Sequence, residues 1–88
     1  MKHGSHADII VRLRRADGHL RALIAMIEAG RSCTEVAQQL HAVERAVGSA
    51  KREFIHDHID HCLAGGADES GHNSRQAIAE LKELTKYL

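Results

Sequence analysis

The segment HDHIDHC, residues 56–62, gathers three histidines and a cysteine into seven residues of a chain that has eight histidines and two cysteines. On a helix, His58 and Cys62 are four apart and project from one face, about 40° apart around the axis. A neutral imidazole and a thiolate at that spacing grip one soft or borderline ion, Zn(II), Cu(I) or Ni(II), rather than Mg or Ca. Two donors make a weak site. The remaining cysteine, Cys33, lies 25 residues before His58, roughly 37 Å away along one straight helix. Cys33 therefore meets His58 and Cys62 only if two copies of this helix pair antiparallel, which gives two equivalent sites across a two-fold axis. A fourth ligand is available in His3 or His6. The start Met-Lys-His also sets a histidine third from a free amine, a pattern that forms square-planar sites for Cu(II) or Ni(II). Asp57 and His61, again four apart, are the candidates for orienting a ligand imidazole from outside the coordination sphere.

Plainer readings apply to the other histidines. His19 and His41 read as polar-face or core-edge residues and His72 as a loop residue, while His56 faces away from the His58/Cys62 pair. His58 and Cys62 could also form a base and nucleophile pair, but no oxyanion donors or substrate pocket are legible, so no enzyme is expected.

The elements that must hold these donors are helical. From Ile9 the apolar residues fall at Ile9, Leu13, Ala16, Leu20, Leu23 and Ile27, alternating steps of four and three, the seam of a coiled-coil-like packing. This predicts a first helix over about residues 6–29, with Ser5 and Asp8 at its start and Gly30 as its stop. Gly18 inside it costs about 1 kcal/mol relative to Ala, which close approach of another helix would justify. SCTE, residues 32–35, reads as a capping box, with Ser32 as cap and Glu35 reaching back. The rhythm resumes at Val36, Leu40, Val43, Val47, Ala50 and Phe54, then runs through Ile55 and Ile59 to Leu63 before Gly65-Gly66. A second helix over about 33–63 is roughly 46 Å long, more than the first can cover. A second subunit must bury the remainder. After the polar linker GGADESGHN, a third helix is expected over about 74–87, with Ala77, Leu81, Leu84 and Leu88 on one stripe.

Composition agrees with an all-α fold in one small domain spanning 1–88. Apolar residues make up 43% and aromatics 2%, with no Trp and no Pro, so the core is aliphatic and helix-forming. A single-chain core of this size is marginal, which again favours a homo-oligomer. Twelve basic and twelve acidic residues cancel, so attraction to nucleic acid must come from a local patch. Arg12, Arg14 and Arg15, with Lys51 and Arg52, are the groups able to neutralise phosphates. No apolar run of signal-peptide or membrane-spanning length is present. A cytoplasmic location and no membrane partner follow as expectations, and there the cysteines are thiols or metal ligands rather than a structural disulfide.

In order and spacing, RLRRADGHLRAL, CTEVAQQLHAVERAV and HDHIDHC resemble the CsoR/RcnR family of metal-sensing repressors, which includes the formaldehyde sensor FrmR. The resemblance implies a three-helix subunit, an antiparallel dimer of second helices that pairs into a tetramer, and operator DNA released on effector binding. It carries the family's Cys/His/Cys ligand positions onto Cys33, His58 and Cys62, and the DNA-contacting surface onto the first-helix arginines. A histidine stands in RcnR where this chain has Cys62. The N-terminal Pro of the formaldehyde sensor is absent, and His58 is not the mark of a persulfide sensor. DHIDHCL and QQLHAVE are most similar to the nickel-resistance NreA-like branch, which favours Ni(II), with Cu(I) as the alternative. The resemblance also puts Glu44, beside Arg45, where relatives carry a DNA-contacting arginine. Two functions follow for comparison: a metal-responsive repressor of efflux or resistance genes, and a nickel-binding accessory or buffering protein without operator binding.

Overall fold

The structure, a computed structural model, describes residues 6–65 and 73–88. The described residues form three helices, α1 (His6–Glu28), α2 (Cys33–Gly65) and α3 (Asn73–Thr85), with no strand among them.

The junction between α1 and α2 forms as its sequence dictates. Gly30 has φ +75°, a conformation that glycine adopts without the steric cost of a Cβ. Its N–H donates to the Ile27 carbonyl (3.1 Å) and that of Arg31 to Met26 (3.0 Å), the paired bonds of a Schellman stop. Two residues later Ser32 caps α2: the Glu35 N–H donates to Ser32 Oγ at 3.2 Å. The Glu35 carboxylate does reach back, to the Ser32 hydroxyl (3.2 Å) and the Arg31 guanidinium (2.6 Å). These bonds, Arg31 first, hold the Glu35 carboxyl below its ordinary value and raise Arg31. Cys33 thus begins α2 on a defined turn. The expected Ser5 cap, the linker and His72 lie outside the described residues. At the far end α3 stops at Thr85, two residues short of expectation. Bonds from Lys86, Tyr87 and Leu88 to the carbonyls three residues back tighten the chain out of the α-helical pattern.

The chain divides into two compact units, Ala7–Ala50 and Met1–His6 with Lys51–Leu88. In the first, α1 lies antiparallel to the N-terminal half of α2. The Arg12 guanidinium donates to Ser49 Oγ (2.7 Å) and His19 Nε2 meets Gln39 Oε1, so rising numbers on α1 meet falling numbers on α2. In the second, α3 accompanies the C-terminal half of α2. There the His6 ring stacks on Phe54 (centroids 5.0 Å apart, planes at 17°), and His58 meets Glu80.

Only part of the expected apolar seam is buried within the chain. Ile9, Ala16 and Leu23, seven apart, are buried on α1, and Val43, Ala50 and Ile55 on α2. The alternate row on α1, Leu13, Leu20 and Ile27, is 42–55% exposed, and the row Leu40, Val47 and Phe54 on α2 is 43–48% exposed. One neighbouring helix covers one edge of a heptad stripe, and the other edge needs a second neighbour. The close helix approach expected at Gly18 is not made among the described residues: beyond its own stretch of helix, a Cβ there would meet no atom within 4 Å.

Candidate metal site

The candidate donors are distributed along α2. Cys33 is its first residue, an exposed free thiol. It lines an open cavity of about 560 Å³ with Thr34, Ala37, Gln38 and His41. His58 stands near the other end of the helix, half-buried. Its Nε2 lies 3.3 Å from Glu80 Oε1 on α3. A carboxylate only accepts, so Nε2 carries the proton of that bond. Phe54, His58, Glu80, Glu83 and Leu84 line a cavity of about 290 Å³ there.

His6, the first residue of α1, belongs to the same unit as His58. Its Nε2 is shielded from solvent and lies 3.8 Å from Asp57 Oδ2. Asp57, read from sequence as a candidate for orienting a ligand imidazole, thus lies beside the imidazole of His6. The carboxylate on His58 is Glu80, which sequence reasoning missed. One carboxylate beside the apolar stripe of a short helix is ordinary, and nothing in the spacing marked it. His61 is half-buried. His3 and the Cys62 side chain lie outside the described residues, although the Cys62 backbone is part of α2. Among the described residues no three His, Cys, Asp or Glu side chains converge on a point where they could hold an ion.

The basic groups divide differently. Arg14, Arg15, Lys51 and Arg52 are exposed, and Arg12 is half-buried and held by Ser49. Arg12, Arg15 and His19 line a cavity of about 230 Å³ with Ala16 and Ala46. His19, read from sequence as a polar-face or core-edge residue, is tied to Gln39 and ties α1 to α2. No described helix is long and apolar enough to cross a membrane.

Comparison with known proteins places this arrangement. Residues 5–87 match the family described as metal-sensitive transcriptional repressor. The chain belongs to that family. It is a family of repressors, not of enzymes. The chain is 36% identical over 75 residues to the copper-sensing transcriptional repressor CsoR of Bacillus subtilis, covering 85% of this chain and 72% of that one. To the copper-sensing transcriptional repressor RicR of Mycobacterium tuberculosis it is 33% identical over 69 residues, 78% and 72% of the two chains. Among solved structures it is similar to the nickel-responsive transcriptional regulator InrS, with a TM-score of 0.81 and 34% identity, covering 100% of this chain and 98% of that one. The similar proteins thus include copper-sensing repressors and a nickel-responsive regulator, the latter sharing this all-helical fold.

Proposed function

We propose that this protein is a cytoplasmic, Ni(II)-responsive repressor whose metal sites are shared between two protomers of an antiparallel α2 pair. Each site takes Cys33 from one protomer and His58 and Cys62 from the other.

The observation that carries this reading is the exposed row on α2. Leu40, Val47 and Phe54 are spaced by seven and centred on Val47. The same row continues to Cys33 at one end and His61 at the other. If two copies bury it against each other about a two-fold axis at Val47, Leu40 comes level with the partner's Phe54. Cys33 then comes level with the partner's His61, within one turn of the partner's His58 and the partner's Cys62. The apolar row and the donors thus call for the same register, although each was read from different residues.

The donor chemistry fits. With Nε2–H of His58 directed to Glu80, Nδ1 is the metal-facing nitrogen, the usual division of roles in a ligating histidine. Two thiolates and one imidazole, with a second nitrogen from His6 or His3, make an S₂N₂ set suited to square-planar Ni(II). His6 is supported as that second nitrogen by its Asp57 partner, one residue from His58. The 34% identity to a nickel-responsive regulator over the full chain adds to this. A three-donor Cu(I) site is the second reading, favoured by the copper-sensing relatives.

Arg12, Arg14 and Arg15 on α1, with Arg52, supply the phosphate contacts. Metal weakens DNA binding to the extent that it prefers a different arrangement of these surfaces. Metal-efflux or resistance genes would thereby be released.

The test is anaerobic titration of the reduced protein with Ni(II) and, separately, Cu(I), followed by absorption and by binding to a DNA duplex from its own upstream region. An intense thiolate-to-nickel band at one metal per protomer, lost in Cys33→Ala, with DNA released on saturation, is the expected result. Full stoichiometry and affinity in Cys33→Ala would refute the shared site. Tight Cu(I) binding without a nickel band would make the protein a copper sensor, and no metal-reversible DNA binding would leave a metal buffer.

A further inference from the structure

Two charged residues flank the exposed row of α2 and, among the described residues, have no partner. Glu44 and Lys51 are both exposed and, among the described residues, neither makes a hydrogen bond or ion pair. Their helix neighbours explain why. Three and four residues from Glu44 stand Leu40, His41, Val47 and Gly48, and from Lys51 stand Val47, Gly48, Phe54 and Ile55. Neither has an opposite charge at the spacing where helix side chains meet.

The two nevertheless share one heptad position. Each lies four residues after a member of the exposed row, Glu44 after Leu40 and Lys51 after Val47, so both project about 40° to the same side of it. Val43 and Ala50 on the opposite flank are buried within the chain, which leaves the Glu44/Lys51 flank for a second copy.

We propose that Glu44 of each protomer pairs with the partner's Lys51, and that this reciprocal pair fixes the register and antiparallel direction of the α2 dimer. The inference rests on the α2 pairing proposed above. A two-fold axis perpendicular to the helices keeps rows with the same angular offset on the same flank. Glu44 lies three residues before Val47 and Lys51 four residues after it. Glu44 and the partner's Lys51 are then offset by one residue, about 1.5 Å along the axis, across helices about 8–10 Å apart. The two-fold makes the contact twice. A parallel pairing, whose two-fold runs along the helices, would instead put the two Glu44/Lys51 rows on opposite flanks of the seam and bring no Glu44 to a partner's Lys51, so the pair favours the antiparallel arrangement. Lys51 then serves the interface rather than DNA, and the negative charge of Glu44 is spent on a lysine rather than facing phosphate.

Charge exchange tests this on the full chain. Exposed ion pairs are individually weak, but each single reversal converts two attractions into two repulsions. Glu44→Lys and Lys51→Glu are each expected to weaken dimerisation about tenfold, read by analytical ultracentrifugation at low ionic strength, with the effect shrinking in high salt. The double exchange, Glu44→Lys with Lys51→Glu, restores affinity to within about threefold of the parent. The register is checked separately by Val47→Cys in a Cys33→Ser/Cys62→Ser background, which a short bismaleimide should link across the axis. A dimer that does not crosslink through position 47 overturns the α2 pairing itself. Crosslinking without rescue by the double exchange overturns only the Glu44–Lys51 pair.

Discussion

Glu80→Gln tests the proposed metal site at a contact that only tertiary structure supplies. Glu80 Oε1 accepts from His58 Nε2 at 3.3 Å, with the histidine 30% and the carboxylate 53% exposed. Removing the outer carboxylate of a ligating histidine generally costs about 10–100-fold in metal affinity, or roughly 1.4–2.7 kcal/mol. The long bond and the exposure of Glu80 set the expectation at the lower end, because water replaces part of what is lost. Glu80→Gln keeps an acceptor oxygen but removes the charge that makes the imidazole a better donor to metal, and about a threefold loss is expected. Glu80→Ala removes both and should cost about tenfold. Anaerobic competition with a chromophoric chelator reads these differences for Ni(II) and for Cu(I). Stoichiometry and apo-protein DNA affinity should not change, since the proposed site uses Glu80 neither as a ligand nor as part of the basic surface. Equal affinity in all three proteins would refute the orienting role. Loss of metal stoichiometry in Glu80→Gln would instead make Glu80 a ligand and overturn the assignment of His58 Nδ1.

Two further outcomes follow from the helix ends and α1. The Glu35 carboxyl is held low by Arg31 and Ser32, so its contribution is fully present above the ordinary glutamate value and is lost as pH falls through its lower folded value. Its carboxyl signal in an NMR titration should have a midpoint below that of free glutamate, moving up in Arg31→Ala; a midpoint at or above the free value would mean that the Arg31–Glu35–Ser32 cluster does not form in solution. Gly18→Ala should raise the melting temperature by the equivalent of about 0.5–1 kcal/mol, because a Cβ there meets open space and alanine restricts the unfolded chain. A lower melting temperature at concentrations where the protein assembles would show that another copy approaches α1 at Gly18.

How far the sequence reached differs between the helices and the site. The four-three apolar rhythm fixes an α-helical period whatever the surroundings, and Gly30 and SCTE carry their own stop and start chemistry. The bounds of α1 and α2 accordingly fall within two residues of expectation. Local information failed at the end of α3, where no residue marks the stop and three-residue bonds wind the helix down. The spacing of His58 and Cys62 was legible because it is a property of one helix. The partners of the imidazoles were not legible, because they depend on which helices lie together.

What the sequence determined by itself is therefore periodic or contiguous: three helices, an apolar seam wider than one neighbour can cover, and the placement of candidate soft-metal donors at both ends of α2. Tertiary structure decided which half of the seam the chain buries for itself, Ile9/Ala16/Leu23 rather than Leu13/Leu20/Ile27. It also decided which carboxylate meets which histidine, Glu80 with His58 and Asp57 with His6. The physical reason is that a heptad pattern specifies a stripe but not its occupant. A hydrogen bond between residues 22 apart in sequence exists only once packing has brought their helices side by side.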